Sequence, residues 1–255
     1  MFKQGEMDRV FAEIAECARV PFVERHIGRP KTSVLFVKIL YLLLKSFSLP
    51  NERIRLHCVA TALLQMGLDL HERVSVEPER AVQGMRSRQL FVLAGDYFSS
   101  LFYRFLAENG EIRTISRLSE AVCEVNEAKM ELYALLDNRQ LSPLTYIGFI
   151  RRIRGGLPSA LSDLFHKGRT SDNPWRDLAP DLAVLDWLAD AKDEYPGASS
   201  VLQSGELRVK LIRKIAASVR RGTAAIAHPE VRRELLQLIS EHFDSYLTEP
   251  LAREG

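Results

Sequence analysis

The chain has 255 residues, is 46% hydrophobic and 27% charged, and carries 35 Lys+Arg against 33 Asp+Glu, a formal net charge of +2. That balance excludes a disordered chain, a collagen-like fibre and a strongly acidic or basic tail protein, and leaves a globular protein able to bury a sizeable core. Cys17, Cys58 and Cys123 are odd in number and form no CxxC pair, so neither a disulfide framework nor a cysteine-based zinc site is expected.

Apolar residues recur with helical spacing along almost the whole chain, and no stretch alternates as a half-buried strand would. Met7, Val10, Phe11, Ile14 and Ala18 mark a first helix. A second follows a Thr32-Ser33 cap through Phe36, Ile39, Leu40 and Leu43 and stops at Ser48-Leu49-Pro50. Asn51 is expected to cap a third, which carries Leu56, Val59, Ala60, Leu63 and Leu70 and ends near Arg73; Ser75 to Gly84 reads as a polar loop. Arg88 to Glu108 is apolar on two sides, with Leu90, Leu93, Ala94, Tyr97 and Leu101 on one stripe and Phe91, Phe98, Phe102 and Phe105 on the other. Such a helix belongs in the centre of a bundle or across an interface. After Asn109-Gly110 a fifth helix runs from Ile112 to about Leu136, and Ser142-Pro143 starts a sixth towards His166, with a break expected at Gly155-Gly156-Leu157-Pro158. Further helices fit Pro174 to Lys192, Ser204 to Arg221 and Pro229 to Leu247. The expected architecture is a single all-α domain over residues 1–255, a bundle of about eight to ten helices.

Phe2-Lys3-Gln4-Gly5-Glu6 lacks the apolar segment of a signal peptide. The longest apolar stretch, Val34 to Leu44 interrupted by Lys38, falls short of the roughly 20 residues that a membrane span needs. A cytoplasmic protein without a membrane span is expected.

Asp69, His71 and Glu72 stand within four residues at the end of the third helix, but Asp69 and His71 are two apart and do not share a face. Metal ligands on a helix usually sit three or four apart, so a polar helix end is the plainer reading. Arg151, Arg152 and Arg154 run into Gly155-Gly156, which could hold a phosphate by charge and backbone N–H groups or be a solvated helix face. No GxxxxGK[ST] or GxGxxG is present, which excludes a P-loop or dinucleotide fold. Arg208 to Arg221 is interleaved with Val209, Leu211, Ile212, Ile215 and Val219 and reads as an amphipathic surface helix rather than a DNA-reading one. Asp186 and Asp190, one turn apart beside Asp193 and Glu194, could bind Mg²⁺ through phosphate oxygens or simply face water. The six histidines are scattered and support no catalytic triad. Leu93-Ala94-Gly95-Asp96-Tyr97-Phe98 puts a Gly and an Asp inside an apolar helix. Gly costs about 1 kcal/mol there relative to Ala and a buried Asp needs a partner, so a close crossing at Gly95 and a pairing of Asp96 with Arg86, Arg88 or Arg104 are expected.

Val92-Leu93-Ala94-Gly95-Asp96-Tyr97, preceded by Leu64 to Val74, resembles the paired blocks of the all-helical trans-prenyl diphosphate synthases. In that family a helix ends in His followed by DDxxD, a later helix opens with LAGDY, and the aspartates bind Mg²⁺ bridged to an allylic diphosphate. Here His71 is followed by Glu72-Arg73-Val74-Ser75-Val76, which puts a cation at the second acidic position. The downstream motif has at best the broken form Asp186-Trp187-Leu188-Ala189-Asp190, and only Arg151, Arg152 and Arg154 lie near the region of the family's diphosphate-gripping Lys-Thr pair.

A helical scaffold with its metal motifs lost is similar to the small, non-catalytic component I of heteromeric heptaprenyl or hexaprenyl diphosphate synthases. The most diagnostic stretch is Arg88 to Tyr103, continuing through Ile115, Ala121-Val122, Val125-Asn126-Glu127 and Lys129-Met130, and the resemblance covers about Ala60 to Tyr133. It implies a degenerate isoprenoid synthase fold and an accessory chain with no catalytic or metal-binding residue and no cofactor of its own. Mg²⁺ would belong to a catalytic component II that condenses isopentenyl with farnesyl diphosphate for the menaquinone side chain. Within that resemblance His71, Glu72 and Arg73 are the degenerate motif, and Arg151, Arg152 and Arg154 are candidate diphosphate contacts. Phe91, Phe98, Phe102 and Phe105 would face the partner or the growing prenyl chain. Two readings compete: a stand-alone prenyltransferase using Glu72, Asp186 and Asp190 as unorthodox Mg²⁺ ligands, and a helical interaction or nucleic-acid-binding protein using Arg151 to Arg154 and Arg208 to Arg221.

Overall fold

The computed structural model describes residues 4–74, 81–137, 141–166, 172–190, 201–202 and 205–248. Ten α-helices and no strand occur among the described residues: α1 (Gln4–Cys17), α2 (Pro21–Ile27), α3 (Val34–Ser46), α4 (Asn51–Glu72), α5 (Val82–Glu108), α6 (Ile112–Asp137), α7 (Pro143–His166), α8 (Trp175–Asp190), α9 (Gly205–Ala224) and α10 (Pro229–Thr248). The fold is all-α, as the apolar spacing requires.

Several helix starts follow from local chemistry. The Phe36 amide donates to Ser33 Oγ at 3.2 Å and the Thr145 amide to Ser142 Oγ at 3.1 Å, so both serines satisfy an N–H that the helix itself leaves unpaired. Asn51 is not a cap: Pro50 holds that position and Asn51 is the first residue of α4. The seven-residue α2 starts on Pro21 and ends at Gly28 with φ 80°, a left-handed conformation suited to glycine. It is too short to show a period. α5 begins at Val82, six residues ahead of the expected start, so it takes in the end of the expected loop; Ser75 to Arg80 lie outside the described residues.

The expected break in α7 does not occur. The helix runs continuously from Pro143 to His166 through Gly155, Gly156 and Pro158. A Cβ at Gly155 would lie 2.5 Å from Pro180 Cβ and 2.6 Å from Pro180 Cα, and one at Gly156 would lie 2.6 Å from Val125 Cγ2. The glycine pair therefore serves close packing of α7 on α8 and on α6 rather than a turn.

The chain divides into two compact units, Met1–Tyr41 with Leu49–Ser116 and Leu42–Ser48 with Arg117–Gly255. In the first, α4 packs along α5, α1 covers α4, and α2 covers α5. The α4 stretch from His57 to Leu68 is buried at every residue. In the second, α7 packs on α8, α8 on α9, and α9 on α10. The end of α3 belongs to this unit: Lys45 Nζ lies 3.2 Å from Glu230 and 3.3 Å from the buried Glu234, and Trp175 Nε1 donates to Ser46 Oγ at 2.7 Å.

Among the described residues α5 is the one helix long and apolar enough by composition to cross a membrane, which a search for unbroken apolar runs passes over. Its Ala94, Gly95, Phe98, Leu101, Phe102 and Leu106 are buried, as in a core helix.

Candidate functional site at the α4–α5 crossing

Two glycines bring α4 and α5 together. A Cβ at Gly67 would collide with Ser99 Oγ and lie 2.9 Å from the Gly95 carbonyl oxygen. One at Gly95 would lie 2.6 Å from Cε1 and Nε2 of His71. The close crossing expected at Gly95 is present, and its partner is the His71 imidazole. Asp96 is 66% exposed and its Oδ1 is 3.5 Å from His71 Nε2, so it takes no arginine partner of the kind expected; Arg104 points to Glu108 instead.

The residues of the degenerate motif then diverge. Asp69 accepts a hydrogen bond from Gln65 Nε2 at 2.8 Å along α4, whereas the Arg73 guanidinium lies 4.4 Å from the centroid of the Phe91 ring on α5. Arg73, which the resemblance sets at the second acidic position, thus has its cation stacked on an aromatic face, an arrangement that is itself stabilising. The residues here do not fit a Mg²⁺ ion, because Glu72 is flanked by that cation and by a histidine turned to α5. Among the described residues no three His, Cys, Asp or Glu side chains stand close enough to hold a metal together.

The expectation for the phenylalanine stripe is corrected. Phe98 is 0% and Phe102 1% exposed, and both fill the core of their own unit. Phe91 and Phe105 are half-buried, each beside an arginine guanidinium, Arg73 and Arg104. The other stripe is split: Ala94 and Leu101 are buried, whereas Leu93 is 63% and Tyr97 43% exposed, and Val92, Met85 and Tyr103, which belong to neither stripe, are also exposed. Both stripes are apolar, so the spacing alone could not say which of their residues face inward. Sequence reasoning also missed Thr61 and Gln65, one turn apart on α4, whose Oγ1 and Oε1 are buried without a hydrogen-bond partner among the described residues. Their signal is polar residues at i and i+4 in an apolar helix.

A polar knot closes the other end of the unit. Arg53 donates two hydrogen bonds to Glu111, at 2.7 and 3.0 Å, while His57 Nδ1 lies 2.6 Å from the Arg53 carbonyl oxygen and its Nε2 lies 3.1 Å from Thr114 Oγ1. Nδ1–H can donate to the Arg53 carbonyl, while the single Thr114 hydroxyl proton is shared between His57 Nε2 and Glu111 Oε2, the latter 3.4 Å from Thr114 Oγ1. Burial pushes the His57 pKa below the ordinary imidazole value, against the favourable pull of the Arg53 carbonyl and Glu111. Burial alone would raise the Glu111 carboxyl, but the hydrogen bonds from Arg53 and Thr114 and the charge of Arg53 hold it below the usual carboxylate range.

The arginines expected to grip diphosphate are placed otherwise in the second unit. Arg151 binds Asp181 at 2.8 Å and Asp177 at 2.7 Å, Arg152 binds Glu131 at 2.6 Å, and Arg154 lies 4.0 Å from Asp186. They point to two different helices, α8 and α6, and each meets a carboxylate of this chain, so they do not converge on a phosphate. Asp186, one of the candidate Mg²⁺ ligands, is the partner of Arg154; the side chain of Asp190 and all of Asp193 and Glu194 lie outside the described residues.

A family model described as heptaprenyl diphosphate synthase (HEPPP synthase) subunit 1 matches residues 20–200. The chain belongs to that family. Heptaprenyl diphosphate synthase component 1 of Geobacillus stearothermophilus is 39% identical over 92 residues, covering 36% of this chain and 40% of that protein, so the chain aligns with less than half of that relative's length. The chain's fold is similar to that of solved prenyl diphosphate synthases. A decaprenyl diphosphate synthase from Rhodobacter capsulatus superposes with a TM-score of 0.71 at 14% identity, covering 95% of this chain and 97% of the other. A geranylgeranyl pyrophosphate synthetase from Geoglobus acetivorans gives 0.71 at 13%, covering 98% and 100%. A heterotetrameric geranyl pyrophosphate synthase from mint, in a deletion mutant with ligands, gives 0.58 at 11%, covering 92% and 99%.

Proposed function

We propose that this chain is the accessory subunit of a heteromeric long-chain trans-prenyl diphosphate synthase, inactive alone and required by a catalytic component II. The observation that carries this reading is Arg73 stacked on Phe91 where the scaffold would need its second acidic ligand. A cation there repels a divalent metal, and the diphosphate leaving group is stabilised by such metals, so ionisation of the allylic substrate falls to the partner. Mg²⁺, farnesyl diphosphate and isopentenyl diphosphate would bind there, and the product would be heptaprenyl diphosphate for the menaquinone side chain, made in the cytoplasm.

The exposed apolar face of α5, centred on Leu93 and Tyr97, is the surface offered to component II. Covering it removes large apolar and aromatic side chains from water, the usual source of interface energy. The mint enzyme of the same fold is heterotetrameric, which supports assembly of unlike subunits on this scaffold.

The test is reconstitution. Purified chain given Mg²⁺, farnesyl and isopentenyl diphosphates is expected to form no product, and addition of a component II with intact aspartate-rich motifs is expected to restore synthesis of a long prenyl diphosphate. Turnover by the chain alone would favour the stand-alone reading. Against that reading stands the ion pair of Asp186 with Arg154.

A further inference from the structure

The second unit carries a charge pattern that the degenerate motif does not use. From Gly205 to Phe243 the chain has eight Lys/Arg against four Asp/Glu, whereas the whole chain is at +2. Several arginines elsewhere in this unit are paired, Arg117 with Glu120 and Glu124, Arg151 with Asp177 and Asp181, Arg152 with Glu131, while among the described residues the exposed Arg176 stands alone on α8. Arg220, Arg221, Arg232 and Arg233 are also exposed and form no ion pair within 4 Å among the described residues; Arg233 feels the charge of Glu230, which Lys45 binds at 3.2 Å. Residues 225–228 are all that separates α9 from α10, and the two helices pack on each other. The last turn of α9, with Arg220 and Arg221, and the first turns of α10, with Arg232 and Arg233, therefore stand at one end of the pair.

The acids that could neutralise this end are committed elsewhere. Glu230 and Glu234 both bind Lys45 of α3, and Glu206 binds Lys210 at the far end of α9. Arg232 and Arg233 also lie near the N-terminus of α10, where the helix dipole favours anions over cations. Four arginines gathered without a close ion pair among the described residues, two of them against the dipole, leave a positive excess that suits an external anion. Leu236 supplies a second, independent feature: it is 51% exposed and lies four residues beyond Arg232 and three beyond Arg233, so its side chain sits between theirs on the outer face of α10. Cations framing an exposed leucine match the water–lipid boundary, where headgroup phosphates meet the guanidiniums and the apolar side chain enters the acyl edge. A nucleic acid would use the charge and gain nothing from the leucine.

We propose that the α9–α10 end of the second unit is a docking surface for anionic lipid headgroups, with Arg220, Arg221, Arg232 and Arg233 contacting phosphate and Leu236 entering the acyl boundary. This surface does not depend on the function proposed above.

The experiment is co-sedimentation of the full chain with vesicles of neutral phosphatidylcholine, alone and with about a third phosphatidylglycerol, at low and high salt. Binding is expected to the anionic vesicles only and to weaken with salt. Each cation near such a surface contributes about fivefold in partitioning, so Arg220→Gln/Arg221→Gln should lose about twentyfold and the quadruple Arg→Gln variant about a hundredfold or more. Leu236→Asn should lose about threefold on vesicles and nothing on heparin. All these side chains are exposed, so thermal midpoints should match the parent chain. Equal binding to neutral vesicles, partitioning of the double variant within threefold of the parent, or tighter binding to duplex DNA than to anionic vesicles at the same salt would each overturn the proposal.

Discussion

The end of α4 and the arginines of α7 mark two places where this scaffold departs from a phosphate-handling site, and they depart in opposite ways. In the second unit the charges are kept and neutralised internally: Arg151 is clasped by Asp177 and Asp181, Arg152 by Glu131, and Arg154 lies at Asp186. In the first unit the charge itself is replaced. Arg73 lies on Phe91, His71 on Gly95, and the α5 helix beside them keeps Leu93 and Tyr97 in water. The α7 region is closed by its own neighbours, whereas the α5 region ends in an apolar surface that the described residues do not cover.

That contrast is open to mutation. The largest effect is expected at Arg151, because Asp181 is only 12% exposed and would be left without its cation. Arg151→Ala should cost about 2–3 kcal/mol, below the range for a fully buried pair, and lower the thermal midpoint by several degrees. Arg152→Ala, whose partner Glu131 is in solvent, should leave that midpoint where it is.

Next comes Gly155→Ala, expected at about 2 kcal/mol since the obstacle is the Pro180 backbone, followed by Gly95→Ala at about 1 kcal/mol since the His71 ring can rotate away. Adding His71→Ala should return most of the Gly95→Ala loss, and denaturant midpoints of the double-mutant cycle measure it.

A smaller effect is expected from pH. His57 has a folded pKa below its ordinary 6.5, so the unfolded chain binds the proton more readily. Its stability contribution is fully present above about pH 6.5 and is lost as pH falls towards the folded value. Glu111, also held low, adds a loss in the same direction at more acid pH. Denaturant midpoints should therefore drop between pH 7.5 and 5.5, and the drop should shrink in His57→Gln.

The smallest effect on stability is expected at the exposed stripe. Leu93→Ser with Tyr97→Ser should change unfolding by less than about 0.5 kcal/mol each, while abolishing co-purification with the catalytic partner. Loss of the fold in that variant would mean the stripe belongs to the core, contrary to its exposure.

Much of the fold was legible because helical spacing is a local property. Ser33 and Ser142 begin helices by bonding amides three residues on, and the crossing at Gly95 was visible as a glycine inside an apolar helix. What was not legible depended on partners distant in sequence. Gly155-Gly156-Leu157-Pro158 reads the same as a break or as a close crossing until Pro180 and Val125 arrive against it. Likewise α5 has two apolar stripes, and only its packing puts Phe98 and Phe102 inward and Leu93 outward. The basic cluster of α7 looked like an anion site because Asp177, Asp181 and Glu131, its actual partners, lie 20 or more residues away.

The central claim is that the metal chemistry belongs to a partner and not to this chain. The most direct measurement is steady-state synthesis by the reconstituted complex carrying Glu72→Gln in this subunit, which removes the one carboxylate left in the degenerate motif. Turnover within about twofold of the parent complex is predicted; a loss of about a hundredfold at unchanged assembly, the cost typical of removing a group that acts in the transition state, would contradict it.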